Sequence, residues 1–196
     1  MIEVKNLECR IRDRKLFTID SFAFEDGKSY LLKGENGVGK TSLLKALIGY
    51  KDLIRGQIKT SDQTIYQAQQ IYLYKKTGLD NFRLVKGDEK KAYDLAKALA
   101  IENLLGKAVD VLSGGERQKV AFIRSILAAD KNLILDEPFS QMDDKSKTIG
   151  LGIALKWQRM KDDRILILVS HDKIDEDLFD KIIAIEDKKL LEKNIK

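Results

Sequence analysis

The chain has 196 residues, 43% of them hydrophobic and 34% charged, the mixture of a soluble globular domain rather than a fibrous or disordered segment. Its single cysteine, Cys9, excludes an internal disulfide framework and fits a reducing compartment. The net charge of +5 is spread among interspersed acids, so nothing in the pattern supports nucleic acid or anionic lipid as a partner.

The start, Met1-Ile2-Glu3-Val4-Lys5, lacks the basic-then-apolar order of a secretory signal. The longest apolar run, Ile165–Val169, is strand-sized and far from the ~20 residues that cross a bilayer. The expected location is the cytosol, or a membrane surface where a partner holds the chain.

β-rich segments come first, at Ile2–Leu7, Leu16–Phe24 and Ser29–Leu32. Gly34–Lys40 breaks the pattern, and Leu43, Leu44, Leu47 and Ile48 then recur at helical spacing until Gly49. Gln57–Tyr66 reads as one further strand, and a polar stretch runs from Gln67 to Lys91. Helices are expected at Lys91–Leu99, Gly114–Ala128 and about Lys145–Met160. Leu133–Leu135, Ile165–Val169 and Ile182–Ile185 are continuous in Ile, Leu and Val, as expected for strands covered on both faces. Strand–helix–strand spacing of this kind indicates a parallel sheet. The expected organisation is a single domain, with an α/β core from residues 1–70 and 125–196. A mostly helical insertion, about 72–124, interrupts it.

Three motifs carry chemistry. Gly34-Glu35-Asn36-Gly37-Val38-Gly39-Lys40-Thr41 satisfies G-x-x-x-x-G-K-[ST] and lies between an expected strand and an expected helix. Its glycines let the loop wrap with N–H groups turned toward phosphate oxygens, and the following helix N-terminus adds favourable charge. Lys40 supplies a cation for the β- and γ-phosphates, and Thr41 a hydroxyl for Mg²⁺. Asp136-Glu137-Pro138 ends an apolar strand. Asp136 is placed to hold the metal through water, and Glu137 to polarise an attacking water as general base. In Leu112-Ser113-Gly114-Gly115-Glu116-Arg117-Gln118, Ser113 is a natural N-cap. The two glycines are costly in a first helical turn unless they serve a second anion site.

In this order, the three motifs resemble the ATP-binding-cassette ATPases over essentially the whole chain. The resemblance implies a P-loop NTPase core of RecA-like type with a mostly parallel sheet, an N-terminal antiparallel β subdomain and a small helical subdomain. It implies ATP and Mg²⁺ at Gly34, Asn36, Gly37, Gly39, Lys40, Thr41 and Ser42, with Thr41, Gln69 and Asp136 toward the metal. Glu137, His171 and Gln69 take the catalytic positions. His171, the only histidine, falls where the family places its switch histidine. Gln69 is taken from the neighbouring Gln67, Gln69 and Gln70 as the loop glutamine. Two such domains pair head to tail in the family, so Ser113, Gly114, Gly115 and Asp143 would face the nucleotide of a second nucleotide-binding subunit. The chain departs from the family at Gln141 and Met142, at Glu116 where glutamine is common, and at Cys9–Asp13, which lacks the usual adenine-stacking aromatic. Arg10, Ile11, Arg12 or Phe17 are the possible replacements.

The implied function is hydrolysis of MgATP at a head-to-tail dimer interface. That hydrolysis powers transport through separate membrane-spanning subunits, with this chain at the cytoplasmic face. Tyr72, Leu73, Tyr74 and Phe82 are the candidates to meet those subunits, with core packing of a small subdomain the equal alternative for each. A soluble cassette ATPase is the competing reading. About seventy residues between the first and third motifs, without sustained heptads, argue against the coiled-coil repair members.

Overall fold

The structure, a computed structural model, describes residues 1–11, 14–50, 54–60, 62–74, 76–85 and 88–193. Its strands are β1 (Ile2–Ile11), β2 (Arg14–Phe24), β3 (Ser29–Lys33), β4 (Ile54–Thr60), β5 (Thr64–Gln67), β6 (Asn132–Asp136), β7 (Ile165–Val169), β8 (Lys181–Glu186) and β9 (Lys189–Lys193). Its helices are α1 (Lys40–Leu47), α2 (Gly78–Arg83), α3 (Glu89–Ala98), α4 (Gly114–Ala128) and α5 (Asp144–Arg159). One sheet takes the order β4-β1-β2-β9-β8-β3-β7-β6-β5. The run β8-β3-β7-β6-β5 is parallel, whereas β1 pairs antiparallel with β2 and β4.

The continuous apolar strands have the reason the sequence gives them: both faces are covered. Leu31, Leu133, Leu135, Leu166 and Leu168 point to one core, against Val120 and Ile123 of α4 and Ala154 and Trp157 of α5. Tyr30, Leu32, Ile134, Ile165, Ile167 and Val169 point to the other, against Leu43, Leu44 and Leu47 of α1. Each fully buried Leu or Ile contributes about 1.5–3 kcal/mol relative to exposure, so neither face tolerates water.

The expected single strand Gln57–Tyr66 is two strands. β4 ends at Thr60 beside β1, and β5 begins at Thr64 beside β6. These strands are opposite ends of the sheet order, yet four residues along the chain reach at most about 14 Å. The sheet therefore curls until its ends approach. The Asn132 amide donates across the gap to Thr60 Oγ1 at 3.5 Å and Thr64 Oγ1 at 3.4 Å. The stretch read as polar from Gln67 to Lys91 contains α2, started by a reciprocal Thr77–Asp80 capping box. Its Phe82 is 1% exposed and packs with Ala92, Ala96 and Leu105. Phe82 is therefore a core residue rather than a docking one.

Candidate active site

Between β3 and α1 the chain turns through three glycines with positive φ: Gly34 (140°), Gly37 (80°) and Gly39 (111°). Gly39 caps α1 without any side chain, which leaves the first-turn N–H groups open to an incoming acceptor. A Cβ on Gly39 would stand 2.9 Å from the Phe17 ring, so the loop is seated directly on the core. Phe17 is wholly buried in that seat and is not free to stack on a base. Beneath α1 the Cys9 thiol is hydrogen-bonded to the Ser42 side chain, and burial pushes its pKa up to about 11. Cys9 is thus an unreactive packing residue.

The Lys40 ammonium bends back over its own loop, donating to Gly34 O at 2.7 Å and Glu35 O at 3.0 Å. Burial lowers its pKa, and the nearby Glu137 and Asp136 charges oppose that shift. A partly desolvated cation held only by neutral carbonyls gains by exchanging them for phosphate.

Across from it, Asp136 ends β6 and is 1% exposed. Its Oδ2 accepts from Thr41 Oγ1 at 2.8 Å and from the Tyr66 hydroxyl at 3.0 Å. Burial first, then the Asp136 charge, raises the Tyr66 pKa, which keeps the phenol a donor. Glu137 follows in left-handed backbone (φ 52°), a conformation that costs a non-glycine residue about 1–2 kcal/mol. That turn is held at both sides. Glu137 N donates to Val169 O at 3.0 Å, and Gln118 Nε2 donates to Glu137 O at 3.0 Å. The His171 N–H donates to the carboxylate at Oε2, 3.2 Å away. Oε1 lies 3.2 Å from His171 Nε2 but off the hydrogen-bonding line, and it has no hydrogen-bond partner. Burial is the largest influence on this carboxyl and raises its pKa.

These residues share one cavity of about 440 Å³, lined by Asn36, Gly37, Gly39, Lys40, Thr41, Ser42, Gln69, Asp136, Glu137 and His171, with Ile11, Leu16 and Val169 as its apolar lining. Gln69 also lines the adjoining space beside Thr41, Tyr66 and Asp136. Gln67, by contrast, is buried on β5 with both amide atoms unpartnered. A larger groove of about 1150 Å³ adjoins the loop's outer side, but it carries neither Asp136 nor Glu137. Of the two arginines considered as adenine contacts, Arg10 bonds Glu8 at 2.5 Å, and Arg12 lies outside the described residues.

Ser113, Gly114, Gly115 and Asp143 stand outside this cavity. Ser113 and Glu116 cap α4 reciprocally, at 3.3 Å and 2.7 Å. Asp143 caps α5 through the Ser146 N–H at 2.9 Å and pairs with Lys119 at 3.3 Å. Those contacts hold its pKa below the usual carboxylate range, the Ser146 bonds contributing most. Tyr66, Gln118 and Gln141 were not singled out by the sequence as site residues. Gln118 carried one readable signal, a polar residue one turn before the apolar Phe122 on the buried side of α4.

The match to a family model decides the lineage: residues 17–140 match the ABC transporter family. The chain belongs to that family. Among the curated relatives of this ABC protein is an sn-glycerol-3-phosphate import ATP-binding protein of Psychromonas ingrahamii, 28% identical over 84% of this chain and 50% of that one. A phosphonates import ATP-binding protein of Fusobacterium nucleatum is 28% identical over 95% and 89%. A cytochrome c biogenesis ATP-binding export protein of Mannheimia succiniciproducens is 28% identical over 88% of each. The chain spans half or less of several other relatives, 38% of one and 28% of another. An ATP-binding subunit of an ABC transporter superposes with a TM-score of 0.86 at 22% identity, covering 100% of this chain and 90% of that one. The fold is accordingly that of ABC ATPase domains, with its mostly parallel sheet, antiparallel N-terminal part and helices. Among the described residues no helix is long and apolar enough to cross a membrane.

Proposed function

We propose that this ABC protein binds ATP with Mg²⁺ in the Lys40–Asp136–Glu137 cavity and hydrolyses it to drive transport through membrane-spanning subunits on other chains. The observation that carries the reading is the convergence of a desolvated cation, a Thr41–Asp136 oxygen pair and the unpartnered Oε1 of Glu137 in one cavity. Open N–H groups of the Gly34–Thr41 loop and Lys40 hold the phosphates. Thr41, Asp136 and Gln69 are hard oxygen donors suited to Mg²⁺, and too few to hold it alone. Mg²⁺ binds with few protein ligands and completes its shell with water and substrate phosphate oxygens. When bound, that ion neutralises charge building on the transferred phosphoryl. Glu137 takes the proton of the attacking water at Oε1. Its burial makes it a stronger base than a solvated carboxylate, and His171 N–H fixes its orientation. His171, with its side chain 53% exposed, is free to reach the γ-phosphate.

The helical part offers the membrane partner a surface. Tyr72 and Tyr74 are 72% and 50% exposed, their rings 5.9 Å apart. Arg124 anchors their loop, donating to Tyr72 O at 2.8 Å and Asn81 Oδ1 at 3.1 Å. A fixed pair of exposed aromatics fits a protein contact better than a solvated loop. Ser113, Gly114, Gly115 and Asp143 serve the nucleotide of a second nucleotide-binding subunit.

The test is Glu137→Gln. It keeps ATP affinity, lowers turnover about 10²–10⁴-fold, and traps an ATP-bound dimer that ADP does not support. Light scattering reads the mass in each nucleotide, and native purification shows whether a membrane protein accompanies the chain. Equal loss of binding and turnover would overturn the assigned roles.

A further inference from the structure

We infer that Gln118, which closes the third motif but was given no role there, is a positioning residue that sets the backbone of Glu137 and joins it to the Ser113–Gly115 helix start. The inference rests on the hydrolytic reading of Glu137 above. Gln118 is 1% exposed, inside the second turn of α4. Every hydrogen bond its side chain makes goes to one short turn. Nε2 donates to Glu137 O at 3.0 Å and to Ser140 Oγ at 3.1 Å. Oε1 accepts from Gln141 N at 2.5 Å. Both amide donors and the acceptor are thus spent on residues 137–141, which is unusual economy for a mere helix-face glutamine.

The turn needs such a clamp. Glu137 is a non-glycine residue at φ 52°, and surrounding contacts must over-determine a conformation of that kind. Its N–H is fixed by β7. Its own turn bond, from Ser140 N to Glu137 O, is long at 3.4 Å. Gln118 supplies the shorter bond to that carbonyl. Without it, that carbonyl keeps only the long Ser140 bond, and the turn that presents the carboxylate is held less firmly.

The same contacts tie the turn to the helix start. Gln141 lies against both glycines: a Cβ on Gly115 would stand 2.6 Å from Gln141 O, and one on Gly114 would collide with Gln141 Oε1. Lys119, next to Gln118, pairs with Asp143 at 3.3 Å. Contacts therefore run without a break from the start of α4 through the 137–143 turn to Glu137. An anion that settles on Gly114 and Gly115 biases Glu137 through Gln118, without touching it.

The variant is Gln118→Met, which keeps length and volume and removes donors and acceptor. We expect kcat to fall about a hundredfold, as for a misplacement near 1 Å, with KM and ATP affinity held within about twofold. A purely structural role would lower the active fraction and the melting temperature but not split kcat from KM. The decisive readout is a double-mutant cycle in single-turnover rates: adding Gln118→Met to Glu137→Gln costs nothing further if Gln118 acts only through Glu137. Should Gln118→Met fold poorly, Ser140→Ala removes one of the three bonds and gives a smaller loss, about threefold, in kcat alone. Wild-type kcat in Gln118→Met, or losses that multiply in the cycle, would overturn the inference and leave the hydrolytic reading standing. A wild-type chain that binds MgATP without turnover, alone and with its partners, would overturn both.

Discussion

The starts of α1 and α4 both present glycine-flanked N–H groups, and they are built differently. At α1 the cap is Gly39, in left-handed conformation and with no side chain to accept a bond, so every first-turn donor is open. At α4 the Ser113 hydroxyl and the Glu116 carboxylate already satisfy two donors and leave those of Gly114 and Gly115. The Ser113 N–H, first among its partners, holds the Glu116 carboxyl below its ordinary value. That cap is therefore complete above the usual carboxylate range and is lost as pH falls through the lowered value. The seats differ as well. The α1 loop rests on a buried ring, Phe17, whereas the α4 glycines rest on Gln141, part of the turn that carries Glu137. A start seated on the core is a fixed receptor. A start seated on the turn of the proposed catalytic carboxylate is, on the inference above, placed to report occupancy to it.

The largest expected effect attacks the first seat. Phe17→Ala should cost about 3–5 kcal/mol of stability, as for other buried aromatic truncations, measured by urea denaturation. ATP affinity at a temperature where the variant is folded should change far less. Wild-type stability with weakened ATP binding would mean that the ring leaves its seat for the base.

Next in size is Lys40→Ala. Removing a charged donor to phosphate should cost about 1.5–3 kcal/mol, or roughly ten- to a hundredfold in ATP affinity by calorimetry. The comparison fails if the variant binds as the wild type does.

On the second seat, Gly115→Ala forces a methyl into the Gln141 carbonyl and should cost about 1–3 kcal/mol of stability. Binding of ATP to the single chain should stay within about twofold, while ATP-dependent dimerisation is lost. Loss of single-chain binding would show that both starts serve the same bound nucleotide.

The smallest effect concerns the base, for which the cavity offers apolar Ile11 and Leu16 while Phe17 is unavailable to stack. Apolar contact reads bases poorly, so GTP should compete with ATP within about tenfold, equivalent to 1.4 kcal/mol or less. A preference for ATP of a hundredfold or more in a competition assay would sink this.

The chain's local chemistry was legible because it depends on neighbours in sequence. Glycine spacing before Lys40 and Thr41 prescribes a phosphate loop wherever a strand meets a helix. Ser113 followed by Glu116 prescribes a capped start, and apolar runs at 133–135, 165–169 and 182–185 prescribe strands covered on both sides. The same pattern reading failed at Gln57–Tyr66, because β propensity is continuous there while pairing partners change from β1 to β6. It left Phe17 and Phe82 open between an available ring and a packed one, and both are core. Only the tertiary structure decided contacts between residues far apart in the chain: Tyr66 on Asp136, Phe17 under Gly39, and Gln118 on the Glu137 carbonyl. No periodicity encodes these. Each depends on which strands become neighbours and how tightly the sheet curls, and that is set by burying both faces at once.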